Sequence, residues 1–328
     1  MTALVTGATG FLGSHVVDLL VARGERVRAL VRPDEHAERL TALGVDVRRG
    51  DLGDRQSLDA ATHGVERVLH CAAQTGPWGP EDAYLRANVW GLQALVEASL
   101  AAGVQRFTHV SSITVHGNDV HGTADETAPL RVEPNPYSRS KVAGEHLLAN
   151  LVREKGAPIT IVRPGWIYGP RDMASFGRFA TMIRDGKMVI IGSGANHIPL
   201  IHVRDVAEGV ILASTAPGAV GSAYLLVNDE RVTQRDYLTA IANELGAPAP
   251  TRHIPYRIAL GLGATSEAVG RLARGKQPPL MRYGLQLLGG ENRFVITRAR
   301  QELGFTPHVT LNEGVRESVA WYRANTSH

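Results

Sequence analysis

Residues 3–13 read Ala3-Leu4-Val5-Thr6-Gly7-Ala8-Thr9-Gly10-Phe11-Leu12-Gly13, and their reading decides the fold. A short continuous apolar run opens into glycines spaced GxxGxxG, and a helical pattern over Phe11–Arg23 follows. In such a strand–turn–helix unit the first glycine permits the tight turn. The second lets the backbone approach a pyrophosphate, and the third lets helix and strand pack closely. The helix start offers free N–H groups and the positive end of its dipole to the phosphates. Three glycines at this spacing arise by chance about 0.4 times in a chain this rich in glycine, so spacing alone decides little. The position between a strand and a helix carries the reading. Gly7, Thr9, Gly10, Phe11, Leu12 and Gly13 are the expected phosphate-binding residues.

Outward from this turn, short β-like runs alternate with helical patterns. Strands are expected at Ala3–Thr6, Arg26–Val31, Val45–Arg48, Arg67–His70, Arg106–Ser111 and Ile159–Arg163. They are rich in Val, Ile and Leu and often continuous, as suits strands buried on both faces of a parallel sheet. Helices are expected at Phe11–Arg23, Ala83–Ala102 and Tyr137–Glu154, with Gly24 and Gly103 at C-cap positions. The repeated β-α-β rhythm predicts an α/β fold, a doubly wound parallel Rossmann sheet. After residue 165 the rhythm breaks and Gly and Pro become frequent, which predicts a smaller C-terminal substrate-binding lobe. The expected division gives residues 1–165 and 199–228 to the dinucleotide-binding domain. Residues 166–198 and 229–328 go to the lobe.

Composition removes other classes. With 328 residues, 44% hydrophobic and 20% charged, the chain can bury a sizeable core. Its 35 Lys+Arg against 32 Asp+Glu leave a net charge of +3, too even a balance for a nucleic-acid partner. Cys71 is the only cysteine, which excludes an intrachain disulfide framework and a multi-cysteine metal site. The 13 histidines show no HExxH spacing, and no metal is expected. No apolar run reaches the ~20 residues of a membrane span. No charged segment precedes the strand at Ala3, so no signal peptide is expected and a cytoplasmic enzyme is the default. Arg257, Arg271, Arg274 and Lys276 flank apolar residues in 256–276, but a substrate-lid helix is the reading there and membrane association is not expected.

Two further segments carry chemistry. At the end of the second strand an acidic residue would hold the ribose 2′-hydroxyl of NAD, whereas an arginine suits the 2′-phosphate of NADP. The chain has Val31-Arg32-Pro33, so Arg32 favours NADP over NAD. Tyr137-Ser138-Arg139-Ser140-Lys141 sets a tyrosine and a lysine one helical turn apart on one face. A free phenol titrates near pH ~10, and an adjacent ammonium favours its phenolate, bringing it toward the range of a general acid/base. Only Lys141, Lys155, Lys187 and Lys276 are lysines, so YxxxK is expected about 0.1 times by chance. Val110-Ser111-Ser112-Ile113 ends the fifth strand, where ligands of such sheets lie and where a serine can donate to a carbonyl oxygen.

Together these pieces resemble the extended short-chain dehydrogenase/reductase superfamily, through TGATGFLG (6–13), GDLGD (50–54), HCAAQ (70–74) and NVWGLQALVEA (88–98). VSSITVHG (110–117), YSRSK (137–141), RPGWIYGPRD (163–172) and IHVRDVAEG (201–209) continue the resemblance. It implies that Tyr137 is the general acid/base, that Lys141 also holds the nicotinamide ribose, and that Ser112 is the carbonyl partner, with Ser111 one step off. It further assigns Asp51 and Leu52 to the adenine and Ala72, Ala73 and Gln74 to the cofactor wall. Pro164 and Ile167 go near the nicotinamide, and Asn88 is a cofactor contact or a helix-positioning residue. Helices 83–102 and 137–154 commonly form a dimer interface in the superfamily, so a homodimer is expected.

Within the superfamily, sugar-nucleotide enzymes carry an asparagine and an arginine where this chain has Trp166 and Ile198. Neither residue can replace those donors to phosphate. The segment from Phe294 to Pro307 resembles the 3β-hydroxysteroid dehydrogenase-like and dihydroflavonol reductase-like branch. The expected activity is hydride transfer between a nicotinamide and a ketone or secondary alcohol of a largely apolar molecule, steroid-, flavonoid- or β-keto-acid-like. Trp78, Thr114, Trp166 and Tyr283 are the candidate substrate contacts. The alternative is a nucleotide-sugar epimerase or dehydratase with tightly bound NAD.

Overall fold

The apolar runs of the first half become the strands of one parallel sheet in a computed structural model that describes residues 1–120, 122–273 and 277–326. In chain order the strands are β1 (Thr2–Thr6), β2 (Arg26–Val31), β3 (Asp46–Arg49), β4 (Arg67–His70), β5 (Arg106–Val110), β6 (Ile159–Pro164) and β7 (Ala223–Leu226). Their spatial order is β7-β6-β5-β4-β1-β2-β3, and every pairing is parallel. The six strands expected from the sequence fall within one residue of their observed bounds.

Alternation along each strand sends neighbouring side chains to opposite faces. On β1, Ala3 and Val5 join a core with Val16, Val17 and Leu20 of helix α1 (Phe11–Ala22). Leu4 points the other way, into a second core with Leu58 of α2 (Arg55–Thr62), Leu92 and Leu95 of α3 (Gly91–Ala101) and Leu148 of α4 (Pro136–Lys155). Helix α5 (Val203–Thr215) lies beside α1 and contributes Val206, Val210 and Ile211 to the first core. The chain crosses in one direction from β1 to β3 and in the other from β4 to β7. The reversal between β1 and β4 opens a crevice above their carboxyl ends.

A third core gathers residues from 168 to 322, among them Phe176, Ile190, Tyr237, Leu285 and Val319. The stretch 229–290, expected as a mixture of loops and helices, holds α6 (Gln234–Leu245), α7 (Tyr256–Leu272) and α8 (Arg282–Gly289). Helix α9 (Leu311–Thr326) closes the described chain. Short parallel pairs join distant segments: Trp166–Tyr168 with Leu200–His202, and Ile190–Ile191 with His253–Ile254. No helix among the described residues is long and apolar enough to cross a membrane. Arg274 and Lys276 lie outside the described residues.

The expected helix 83–102 is not one regular helix. It runs as a short helical stretch, Glu81–Leu85, one turn of π-helix, Arg86–Trp90, and then α3. The extra residue in the π turn falls around Asn88, whose side chain is tied to the neighbouring wall of the crevice.

Candidate active site

The crevice is a cavity of about 1720 Å³. Its floor is the glycine turn. Gly7 has φ +68°, in the left-handed region, and a Cβ there would lie 2.8 Å from the Ala72 nitrogen. A Cβ on Gly13 would lie 2.1 Å from the Gly7 carbonyl oxygen, so only glycine lets α1 sit this close to the strand. Gly10 is the N-cap of α1 and supplies no side-chain acceptor, and the first turn holds no acidic residue. The leading N–H groups of α1 are therefore left for an anion. Gly7, Thr9, Gly10, Phe11, Leu12 and Gly13 all line this part of the cavity. A turn with no room for a Cβ and a helix start with no cap fit the pyrophosphate of a dinucleotide.

At the adjoining end stand Arg32, Asp51 and Leu52. Arg32 is 58% exposed at its side chain and pairs with Glu35 (Nη2–Oε1, 2.8 Å). Glu35 also lines the cavity and accepts from Thr9 Oγ1 at 2.7 Å. The arginine read as a phosphate partner is thus already engaged by a carboxylate three residues on. The sequence reading missed Glu35 because it stopped at the strand end.

Tyr137, Lys141 and Ser112 line the same cavity. Asn135 caps α4 by accepting from Ser138 N at 2.9 Å, and Pro136 occupies the first turn, so Tyr137 enters the helix at a fixed angle. Ser112 ends the extended run after β5 and caps the next turn, accepting from Thr114 N at 3.2 Å. Its side chain hydrogen-bonds that of Tyr137. Lys141 is 3% exposed, its Nζ donates to the Val110 carbonyl at 2.8 Å, and it stands 5.9 Å from the centre of the Tyr137 ring. Burial lowers the lysine to about 8. Burial also pushes the phenol up to about 12, against the Ser112 hydrogen bond. Within the protein alone, burial outweighs the serine hydrogen bond, and the phenol stands above its ordinary value rather than below it.

Ala72, Ala73, Gln74, Pro164 and Ile167 also line the cavity, as do Thr114, Trp166 and Tyr283. Two expected contacts do not. Asn88 is buried behind the wall. Its amide accepts from Gln74 N (2.8 Å) and donates to Gln74 O (2.9 Å) and to Ser140 Oγ (2.9 Å). It pins Gln74 as a neighbouring strand would, which is a positioning job. Trp78 is outside the lining, and its ring carries the Arg271 guanidinium 5.9 Å from its centre.

The remaining wall comes from residues 166–191 and 254–288 and is mostly apolar, with Phe179, Met182, Ile191, Met281 and Leu285 among its members. Tyr283 meets Tyr137 edge-on, ring centres 6.4 Å apart, and Trp166 meets Phe179 edge-on at 5.4 Å. Three charged residues enter this wall. Arg171 pairs with Asp18 (2.9 Å), and Asp172 accepts from Ser175 N and Phe176 N. Arg178 donates to the Pro279 carbonyl (2.8 Å) and has no carboxylate partner among the described residues. Ile198 is buried and outside the lining.

Comparison with known proteins agrees with this geometry. The family model described as "NAD dependent epimerase/dehydratase family" matches residues 3–226. A 2-alkyl-3-oxoalkanoate reductase of Stenotrophomonas maltophilia (strain K279a) is 32% identical, covering 96% of this chain and 98% of its own. A decarboxylating sterol-4-alpha-carboxylate 3-dehydrogenase of Homo sapiens is 31% identical over 97% of this chain and 87% of its own. The solved dTDP-glucose 4,6-dehydratase of Streptomyces venezuelae, a double mutant with NAD and DAU bound, is 26% identical with a TM-score of 0.80. That match covers 100% of this chain and 98% of the other. By its turn, its Tyr–Lys pair and these matches, the chain belongs to the NAD dependent epimerase/dehydratase family, the NAD(P)-dependent extended short-chain dehydrogenase/reductases.

Proposed function

We propose that the protein transfers a hydride between a nicotinamide and the ketone or secondary alcohol of a largely apolar molecule, β-keto-acid- or steroid-like. One observation carries the reading. Tyr137, Ser112 and Lys141 share a cavity with the phosphate turn, and the wall that faces them from residues 166–191 and 254–288 is mostly apolar. Both relatives named above act at a 3-position beside a carboxylate on an apolar skeleton, if their names are read chemically. Among the described residues, Arg178 is the cation of the mostly apolar wall that has no carboxylate partner and can meet such a carboxylate.

In this reading Gly7 to Gly13 hold the pyrophosphate, Arg32, Asp51 and Leu52 the adenosine, and Ala72–Gln74, Pro164 and Ile167 the nicotinamide end. The bound nicotinamide supplies or accepts the hydride. Tyr137 gives its phenolic proton to the developing alkoxide, and Ser112 donates a second hydrogen bond to that oxygen. Lys141 holds the ribose and keeps positive charge beside the phenol, so positioning and charge stabilisation act together. Alcohol oxidation runs the same steps in reverse. NADP is proposed ahead of NAD, with Arg32 leaving Glu35 to meet the 2′-phosphate. Residues 1–165 with 199–228 serve as the nucleotide domain and the rest as the substrate lobe, in a homodimer joined through α3 and α4.

The test is NADPH consumption over β-keto acids, steroid ketones and aryl ketones, run beside thermal shifts with UDP-sugars. Turnover of an apolar ketone without stabilisation by UDP-sugars is expected. Stabilisation by UDP-sugars with no ketone turned over would remove the proposal in favour of sugar-nucleotide chemistry.

A further inference from the structure

Tyr137, Lys141 and Glu145 follow one another at four-residue spacing, so α4 carries all three on one face. The first two belong to the chemistry above. Glu145 does not line the cavity and is 3% exposed, yet both of its carboxylate oxygens are hydrogen-bonded. It accepts from Ser111 Oγ at 2.5 Å, from Arg163 Nη2 at 2.6 Å and from Arg163 Nε at 3.0 Å. Arg163, also buried, spends its other nitrogen on His116 Nε2 (3.1 Å) and the Glu126 carbonyl (3.1 Å). A buried ion pair is a poor source of stability, because the cost of taking two charges from water offsets their attraction. Its presence one turn behind the reacting pair calls for another reason.

The bonds supply one. Lys141 grips the carbonyl of Val110 and Glu145 grips the hydroxyl of Ser111, two consecutive residues at the end of β5. The next residue is Ser112, which bonds Tyr137. The two α4 side chains therefore set the strand end that sets the serine. The groups facing Lys141 are Tyr137 and Glu145 from its own helix, His109 from β5, and His70 and Cys71 from the end of β4. Arg163 on β6 and His116 stand behind Glu145. Burial holds His70 near 3 and His109 well below its ordinary value, so both are neutral, and burial raises the Cys71 thiol to about 12. Glu145 is the carboxylate that opposes the fall of the lysine.

We propose that Glu145 is a positioning residue of the reaction: it supplies the negative charge that partners Lys141 and the oxygen that anchors the Ser111 end of β5, with Arg163 as its counter-ion. The role rests on the Tyr–Lys chemistry proposed above but not on the identity of the substrate.

Two variants have opposite signs. Glu145→Gln keeps the shape and removes the charge, so Lys141 loses its proton at lower pH. Arg163→Gln removes the counter-ion and leaves the carboxylate to the lysine, so Lys141 keeps its proton to higher pH. With four lysines in the chain, lysine-selective NMR of the full protein follows each ammonium, and loss of one signal in Lys141→Arg assigns it. For ketone reduction the cationic fraction falls as pH rises through this titration, so the alkaline limb of kcat/KM moves down in Glu145→Gln and up in Arg163→Gln. A displacement of one pH unit corresponds to about fivefold less activity at pH ~8 in the first variant. A merely structural pair would lower Tm in both variants and leave the lysine titration unmoved or moved the same way, and that result overturns the proposal. Should Glu145→Gln not fold, an upward move in Arg163→Gln is required. Should neither fold, the apolar double variant Glu145→Leu/Arg163→Met keeps the core filled and must titrate Lys141 below the parent. Because the titration needs no substrate, its outcome is separate from that of the ketone screen.

Discussion

The cavity has two walls made in different ways. The nucleotide wall is largely backbone, from the glycine turn at 7–13, the start of α1 and the stretch 72–74 that Asn88 fixes. The other wall is side chain, drawn from 166–191 and 254–288 and held by contacts between segments about a hundred residues apart, such as Arg178 to Pro279. A backbone wall fixes one ligand and leaves little room for substitution. A side-chain wall can be refaced without disturbing the sheet, which is how one fold serves many substrates. The reductase and the sterol dehydrogenase resemble this chain to nearly the same degree despite their different names.

Tyr137 stands at the seam, bonded to Ser112 on one side and edge-on to Tyr283 on the other. Tyr137→Phe removes the proton donor and keeps the ring contact. Turnover should fall by roughly a thousandfold, within the range of general acid catalysis, while the dinucleotide Kd changes less than about threefold. Single-turnover rates and cofactor fluorescence measure the two. A fall in both together would place the phenol in binding rather than chemistry. The next largest effect belongs to the nucleotide wall. Gly13→Ala puts a methyl group 2.1 Å from the Gly7 oxygen, so α1 must move off the strand. Overpacking of this kind costs about 1–3 kcal/mol, and dinucleotide affinity should drop by at least about tenfold. An unchanged Kd would mean that the turn does not hold the phosphates.

The rim of the nucleotide wall is made of side chains and should behave like the other wall. Arg32→Asp should shift the kcat/KM ratio toward NAD(H) by roughly tenfold, since it removes the cation and adds a like charge. Glu35→Gln frees Arg32 and should shift the ratio the other way by a smaller factor. Movement of both in one direction would take the 2′-phosphate away from Arg32.

The same contrast explains what was readable in advance. The strands, α1 and α4 were legible because each depends on a local pattern: a continuous apolar run, a glycine turn, a tyrosine and a lysine one helical turn apart. The π turn at Arg86–Trp90 was not, since one inserted residue leaves the apolar spacing almost intact and its cause, the Asn88 bonds to Gln74, lies across the fold. Trp78 was read as pocket lining from its size alone, and no local signal tells a pocket aromatic from one that packs under a guanidinium. Glu145 had a signal, a carboxylate one turn past the lysine, but its partner Arg163 comes from another strand and only folding joins them. Glu35 was within sight of Arg32 and became meaningful only once its contact with Thr9 was seen.

Arg178 puts the side-chain wall to its own test, with the smallest expected effect. Among the described residues its guanidinium meets only a carbonyl, that of Pro279, so a substrate carboxylate can take its place without breaking an ion pair among them. Exposure weakens such a bond, because water competes for the cation. Arg178→Ala should therefore raise KM for a β-keto acid by about fivefold and leave kcat nearly unchanged. A neutral ketone of the same apolar shape should be processed as before. If KM rises equally for both, Arg178 serves only to tie its helix to the Pro279 segment, and the carboxylate preference would be left with Arg171, a cation already paired with Asp18.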